Sequence, residues 1–279
     1  MTAESEWQDQ CVQCVGRTSS ASDELSPVLA NGLLATLNDD SILENGHALP
    51  HLFHWLFFNK VVKTNALKSD GHEKLGAFLP PIRNPRRMWA GSAIEFHQPL
   101  ILGRAATKRS EIKSIEFKAG SKGSLCFVKV EHQYGQDQAT CITDTQTIVF
   151  IRHPSRLNAT DLSPKGPGDC SIDPIMLFRY SALTLNSHRT HFDREYACRE
   201  EGYAGLVVHG PLIASLLLRH AIADRPSEQL ESFYFQGIAP LIDGEGFRIE
   251  SNPTDDDTSF VLTKTNGVQT ARGTVRWMA

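Results

Sequence analysis

The chain has 279 residues, of which 41% are hydrophobic and 22% are charged, and its formal net charge is −4. This length and composition predict a folded protein with one large domain or two domains of about 140 residues. The small negative charge gives no reason to expect nucleic-acid binding, and the lack of an apolar run of about 18 residues predicts no membrane span.

The amino-terminal segment and the cysteines bear on the compartment. Residues 1–7 are acidic and resemble neither a secretory signal nor an Arg-rich mitochondrial presequence. Six scattered cysteines without an export signal predict a reducing compartment, the cytoplasm or, in a eukaryote, the mitochondrial matrix. Cys11 and Cys14 form a single C-x-x-C, which we interpret as two thiols of an N-terminal helix and not as a zinc or redox site.

The first half of the chain predicts one apolar helix followed by strands. Residues 51–58 form the helix candidate, and a loop rich in Pro, Gly and Arg comes after it. Strand-like segments then follow at residues 92–102, 110–118, 125–132 and 140–151.

The second half repeats this order. Gly210 and Pro211 begin an apolar helix that runs to Ile222, because glycine before a helix and proline just inside it favour a helix start. Strand-like segments follow at residues 230–239, 247–251, 259–264 and 270–277, with turn-forming pairs between them.

The repeated plan predicts an α+β fold made of two units, each with a curved antiparallel sheet wrapped around a helix. We divide the chain into an N-terminal unit of residues 1–155, a Pro- and Gly-rich linker of residues 156–173, and a C-terminal unit of residues 174–279. Because sheet edges are usually covered by pairing, the two units could join edge to edge in one sheet.

Polar residues cluster next to the second predicted helix. Asn186, His188 and His191 lie close together in a segment with no helix or strand period, and His209 directly precedes Gly210. Imidazoles beside a helix start are suited to activating water next to a developing oxyanion.

These segments resemble the MaoC-like hydratase-2 group of hot-dog proteins, and within it the branch of itaconyl-CoA and mesaconyl-C4-CoA hydratases and mitochondrial 3-hydroxyacyl-thioester dehydratases. Four stretches in order carry the resemblance: HWLFF at 54–58, GAFLPP at 76–81, RRMWAG at 86–91 and GLVVHGPL at 205–212. It covers residues 7–277 and implies a double hot-dog fold. The N-terminal unit would be a non-catalytic domain resembling the dehydratase of fungal fatty acid synthase, which lends its groove to the thioester.

The resemblance also implies roles for the polar cluster. The group's Asp-x-Asn-Pro-x-His signature ends at His191, which puts Asn186 at the Asp position and His188 at the Asn position. His191 is then the expected base, and the backbone N–H of Gly210 the expected oxyanion donor. Asn186 would orient the water or only cap a turn, and His188 would be a second acid/base group or fix a neighbour's tautomer. We expect Asp193 to cap a helical turn and not to replace the missing acid.

Substrate binding is assigned to basic residues, because arginine pairs bidentately with carboxylates, and to their apolar neighbours. The candidates are Arg86, Arg87, Trp89, Arg179, Arg189, Val208 and His209. For Arg86 and Arg87 the alternative is that they are solvated loop charges.

The resemblance implies a hydro-lyase that adds water to a C5 dicarboxylyl-CoA thioester, converting itaconyl-CoA or mesaconyl-C4-CoA to citramalyl-CoA. It implies no cofactor, since CoA is part of the substrate, no metal, no nucleic-acid or membrane partner, and a possible homodimer. Two alternatives stay open. One is a 3-hydroxyacyl-thioester dehydratase acting on acyl-carrier protein, and the other is a non-catalytic acyl-thioester-binding module, suggested by Asn186 in place of the acid.

Overall fold

The fold is one antiparallel sheet of nine strands with helices packed against it. A computed structural model describes residues 3–83, 86–120, 123–151, 162, 164–167 and 169–278. The strands are β1 (Thr18–Glu24), β2 (Arg86–Phe96), β3 (Ala105–Gly120), β4 (Gly123–Gln136), β5 (Ala139–Ile151), β6 (Leu230–Gly237), β7 (Phe247–Pro253), β8 (Asp257–Lys264) and β9 (Gln269–Trp277). The helices are α1 (Ala3–Val12), α2 (Pro27–Thr36), α3 (Pro174–Leu183), α4 (Arg194–Arg199) and α5 (Gly210–Asp224).

The two halves of the sheet join at its middle. The strand order is β1-β3-β4-β5-β2-β6-β9-β8-β7, and β2 pairs with β6 from Gly91 opposite Gln236 to Glu95 opposite Ser232. The predicted edge-to-edge pairing of two units is thereby confirmed, and each of the eight predicted strands overlaps an observed strand. The sequence predicts the first of them at residues 92–102, but β2 is Arg86–Phe96 and begins within the predicted loop. The ninth strand, β1, was not predicted because its side chains are mostly polar and exposed, and only its backbone pairing to β3 makes it a strand.

Helix α5 forms as the sequence predicts, beginning at Gly210 with Pro211 in its first turn. One face packs against the sheet and buries Leu212, Ile213, Ala214, Ser215, Leu217, Leu218 and Ala221. The packing fixes the helix start, where the candidate oxyanion donor lies.

The helix predicted at residues 51–58 is wrong. Only Phe53–Leu56 forms a single 3₁₀ turn. Leu52 and Phe58 flank it with φ of 69° and 63°, and a left-handed backbone on both sides cannot continue a helix. The apolar side chains of this segment enter the main core, so its hydrophobicity reflects a buried turn.

Two helices that the sequence reasoning missed pair with each other. Helix α2 is capped by Ser26 and α3 by Asp173, and each has proline in its first turn. They pack closely at Gly32, where an added Cβ would lie 2.8 Å from Cδ2 of Leu183. The Ser-Pro and Asp-Pro pairs were recognisable start signals.

Much of the predicted linker lies outside the described residues. Its end is paired to β7, because Cys170 and Phe247 exchange two backbone hydrogen bonds of 2.9 and 3.0 Å. The domain boundaries stay a prediction.

The C-x-x-C lies at the predicted place. Cys11 is in α1 and Cys14 follows it, and both are buried in a second core cluster with Trp7. Burial raises the pKa of the Cys11 thiol to about 11, which keeps it protonated and unreactive. None of the described helices is long and apolar enough to span a membrane.

Candidate active site

A cleft of about 780 Å³ is lined by residues of both halves of the sheet. From the first half it receives His72, Arg87 and Trp89. From the second half it receives the predicted polar cluster of Asn186, His188, His191 and His209, together with Val208 and Gly210. The structure therefore brings most of the predicted site residues together in one place.

His191 is held with one nitrogen free to take a proton. It lies in the 3₁₀ turn Arg189–His191, and its Nδ1 is 2.7 Å from the carbonyl oxygen of Val207. A carbonyl only accepts, so Nδ1 carries the hydrogen and Nε2 carries the lone pair. Val207 is fixed in turn, because its N–H donates to the carbonyl of Thr190 over 2.9 Å.

His209 stacks on the ring of His191. The two rings stack with centroids 3.7 Å apart and planes 21° apart. His209 is the N-cap residue of α5, is only 1% exposed, and has Nε2 2.8 Å from Oγ of Ser181. The sequence predicts it to bind substrate, and its burial and stacking on His191 are also suited to positioning that ring.

Asn186 caps the turn that carries His188. Its side-chain oxygen accepts the backbone N–H of His188 over 3.1 Å, which is the alternative the sequence left open. Nδ1 of His188 lies 3.0 Å from Oγ1 of Thr190, and the His188 ring centroid is 5.4 Å from that of His191. Asp193 caps α4 through the N–H of Tyr196, as expected.

Gly210 offers a free donor at the helix start. As the first residue of α5 its N–H has no partner inside the helix, and none of the described residues accepts it. The positive end of the helix dipole adds to the attraction for an anion there. An added Cβ would lie 2.7 Å from Cε3 of Trp89, so only glycine permits this approach. Trp89 is itself fixed by stacking on Phe235 and by donating to Gln146 over 3.1 Å.

The two neighbouring arginines of β2 have different surroundings. Arg87 borders the cleft, and its side chain makes no hydrogen bond or ion pair with any residue that the structure describes. Burial lowers the pKa of its guanidinium, and the carboxylates of Asp70 and Glu73 counteract this effect. Arg86 instead forms an ion pair of 2.5 Å with Glu201 and donates to the Glu200 carbonyl over 3.2 Å. Of these two arginines, Arg87 is therefore the one left available for a ligand.

Three of the arginines predicted to bind substrate lie outside the cleft lining. Arg86 is occupied by Glu201, and Arg179 is exposed on α3. Arg189 donates to Asp193 over 2.8 and 3.0 Å and lies over the Tyr196 ring. Arg86 and Arg189 are paired with carboxylates and Arg179 is exposed, and none of the three lines the cleft.

The chain is similar to known proteins of one family. Residues 51–243 match the family described as hydroxyacyl-thioester dehydratase type 2. The mesaconyl-C(4)-CoA hydratase of Chloroflexus aurantiacus is 39% identical over 268 residues, which cover 94% of this chain and 95% of that protein. The chain belongs to the hydroxyacyl-thioester dehydratase type 2 family.

Solved structures share the fold. A MaoC-like dehydratase from Phytophthora capsici has a TM-score of 0.68 at 14% identity, covering 97% of each chain. A Mycobacterium tuberculosis protein with a double hot-dog fold has a TM-score of 0.56 at 12% identity, covering 95% of this chain and 96% of that one. The predicted α+β double hot-dog fold is confirmed. The family makes this chain a hydro-lyase, so the reading as a non-catalytic module is not supported.

The sequence reasoning missed His72 in this dehydratase-family cleft. The resemblance implies a non-catalytic N-terminal unit, so it does not point to a catalytic group in this half. The available signal was a short Asp-Gly-His run at residues 70–72, just before the GAFLPP stretch. Within the described part of the chain, no group of three or more His, Cys, Asp or Glu side chains is placed to hold a metal ion.

The lowered pKa of His191 predicts that kcat/KM falls only at acidic pH. Burial lowers the pKa of His191 to about 4, although its hydrogen bond to Val207 acts in the opposite direction. A base with a lowered pKa stays neutral to lower pH, so kcat/KM should be constant from about pH 8 to about pH 5 and fall below that. Measuring kcat/KM with an enoyl-CoA across this range checks it.

Acid unfolding is controlled separately. Histidines that are buried in the neutral form are protonated first in the unfolded chain. The fold therefore loses stability as the pH falls from their unfolded pKa near 6.5 towards their lowered folded pKa, and circular dichroism must accompany each rate measurement. A fall of kcat/KM near pH 6.5 while circular dichroism shows folded protein would contradict the prediction.

Proposed function

We propose that this protein hydrates a C5 dicarboxylyl-CoA thioester, with mesaconyl-C4-CoA as the preferred substrate and citramalyl-CoA as the product. The relative of 39% identity is named for this substrate. The observation that carries the proposal is the unpaired guanidinium of Arg87 on the cleft wall.

The position of Arg87 fits the chemistry of this substrate. In mesaconyl-C4-CoA the free carboxylate is bonded to the β-carbon, which is the atom that gains the hydroxyl group. Its cationic partner must therefore lie near the groups that activate water. Arg87 is close enough to His72 and His188 to lower the pKa of each, after the larger effect of burial.

A carboxylate seated on Arg87 would also be held in a defined orientation. The planar guanidinium offers parallel N–H donors that match both carboxylate oxygens. Binding of the substrate carboxylate would remove the free-energy cost of leaving this guanidinium without a directly contacting counter-ion.

The proposed hydration step uses the side chains described above. Nε2 of His191 takes a proton from water, whose oxygen adds to the β-carbon. The π electrons of the double bond move towards the thioester, and the negative charge that develops on its oxygen is stabilised by the Gly210 N–H. A proton then returns to the α-carbon, which completes the addition of water.

Crotonyl-CoA gives a test of the substrate assignment, because it shares the α,β-unsaturated thioester of mesaconyl-C4-CoA but has no carboxylate. We expect kcat/KM for mesaconyl-C4-CoA to exceed that for crotonyl-CoA by about 100-fold, the value of one strong charge-assisted pair. The loss of enoyl-thioester absorbance measures both rates, and itaconyl-CoA is assayed through the citramalyl-CoA formed. Equal or faster hydration of crotonyl-CoA and longer enoyl thioesters would support the fatty-acid dehydratase alternative.

The proposal also covers the metabolic role, the cofactor requirement, the compartment and the oligomeric state. A hydratase of this kind would serve the breakdown of C5 dicarboxylates such as itaconate, need no cofactor, and work in the cytoplasm as a possible homodimer. The free state of all six cysteines supports a reducing compartment.

A further inference from the structure

The first half of the chain sends a loop onto the catalytic turn of the second half. The backbone N–H of Arg189 donates to the carbonyl of Asp70 over 3.0 Å, and Oγ of Ser187 donates to the carbonyl of Gly71 over 2.6 Å. Gly71 has φ of 89°, and a Cβ there would lie 1.7 Å from the carbonyl oxygen of Ser187. This loop is therefore fitted against the turn that carries His188.

The loop places His72 in the cleft beside the histidine cluster. The His72 ring centroid is 4.1 Å from that of His188, with the planes 40° apart. Its Nδ1 lies 3.5 Å from Oδ2 of Asp70, and its backbone N–H donates to Oδ1 of the same carboxylate over 2.9 Å. Nζ of Lys68 donates to the same Oδ2 over 2.8 Å.

The carboxylate sets the orientation of His72. Asp70 accepts only, because burial, which raises its pKa, is outweighed by hydrogen bonds from His72 and Lys68. A carboxylate facing Nδ1 favours the tautomer with hydrogen on Nδ1 and leaves the lone pair on Nε2. His72 thus has the same form as His191, a neutral ring whose Nε2 can accept.

The second half lacks a carboxylate at this position. The signature of the resembling group has Asp where this chain has Asn186. Asn186 cannot take a proton, and its side-chain oxygen already accepts the N–H of His188. None of the described C-terminal residues that line the cleft is Asp or Glu.

We propose that His72, oriented by Asp70, is a catalytic residue that holds the reacting water in place of the missing carboxylate. One hydrogen of the water passes to Nε2 of His191, while the other stays on the oxygen and bonds to Nε2 of His72. The hydroxyl oxygen forms its bond to the β-carbon, the π pair of the double bond moves to the thioester oxygen, and the proton on His191 passes to the α-carbon. The step rests on the proposed hydration, and each half of the chain supplies one imidazole.

His72→Gln tests the role. We expect kcat to fall about 100-fold with KM changed by less than about threefold, which is the typical effect of losing one acid/base group. His72→Ala should fall further and recover part of its kcat with added imidazole, a response that a purely structural role would not give. Asp70→Asn should cost about tenfold, as loss of an orienting partner usually does. His97→Gln, at a half-exposed histidine outside the cleft, should match wild type.

Two results would overturn the proposal. One is a wild-type kcat in His72→Gln. The other is a loss of activity that unfolding fully explains, with no recovery of kcat in His72→Ala on adding imidazole. All variants are assayed on the enoyl thioester that wild type hydrates fastest. An error in the substrate assignment then appears in the wild-type substrate panel, whereas an error about His72 appears in the variant-to-wild-type ratio.

Discussion

Replacing His191 by alanine is expected to lower kcat by about 10³-fold, within the range found when an acid/base group is removed. The ring is the one predicted base whose tautomer is fixed by a backbone carbonyl, since Val207 leaves only Nε2 to accept. Burial keeps it neutral at working pH. The measurement is the rate of enoyl-thioester absorbance loss at saturating substrate.

His191→Gln separates chemistry from packing. Glutamine can still donate to the Val207 carbonyl but cannot take a proton, so its kcat should be as low as that of the alanine variant. His97→Gln and thermal melting serve as controls for folding. Retention of more than about a tenth of wild-type kcat by either variant would show that another group is the base.

Replacing Arg87 by alanine is expected to change specificity more than catalysis. We expect kcat/KM for mesaconyl-C4-CoA to fall about 100-fold, because one charge-assisted bidentate pair is lost. Hydration of crotonyl-CoA should change by less than about threefold, since that substrate has no carboxylate to bind. Assaying both thioesters with each variant provides the ratio directly.

Arg87→Lys and Arg179→Ala complete this test. Lysine keeps the charge but not the planar fork, so it should recover only part of the preference for mesaconyl-C4-CoA. Arg179 is exposed on α3, and its loss should leave both rates unchanged. An equal loss on both thioesters in Arg87→Ala would contradict the carboxylate role and indicate a general effect on the cleft.

The local sequence determined the sheet and the start of α5. Eight of the strands carry enough apolar residues between turn-forming pairs to be predicted, and Gly210 with Pro211 specifies a helix start through backbone geometry alone. The expected base and oxyanion donor stay predictions. The hydratase-2 signature points to His191, and the helix start points to Gly210.

The apolar segment at residues 51–58 shows where local patterns fail. Its hydrophobicity was a correct sign of burial, but the left-handed backbone of Leu52 and Phe58 is imposed by the packing around it. A short apolar run has no period long enough to distinguish a helix from a buried turn.

The roles of Arg86, Arg87 and His72 were decided only by the tertiary structure. Successive residues of a strand point to opposite faces, so one arginine of the pair meets Glu201 and the other meets the cleft. His72 reaches the histidine cluster because residues 68–73 pack on a turn that follows more than a hundred residues later. The local sequence was enough to predict most strands, helix α5 and the side chains with suitable chemistry. Which of those side chains meet depends on contacts between distant segments, and no local spacing encodes them.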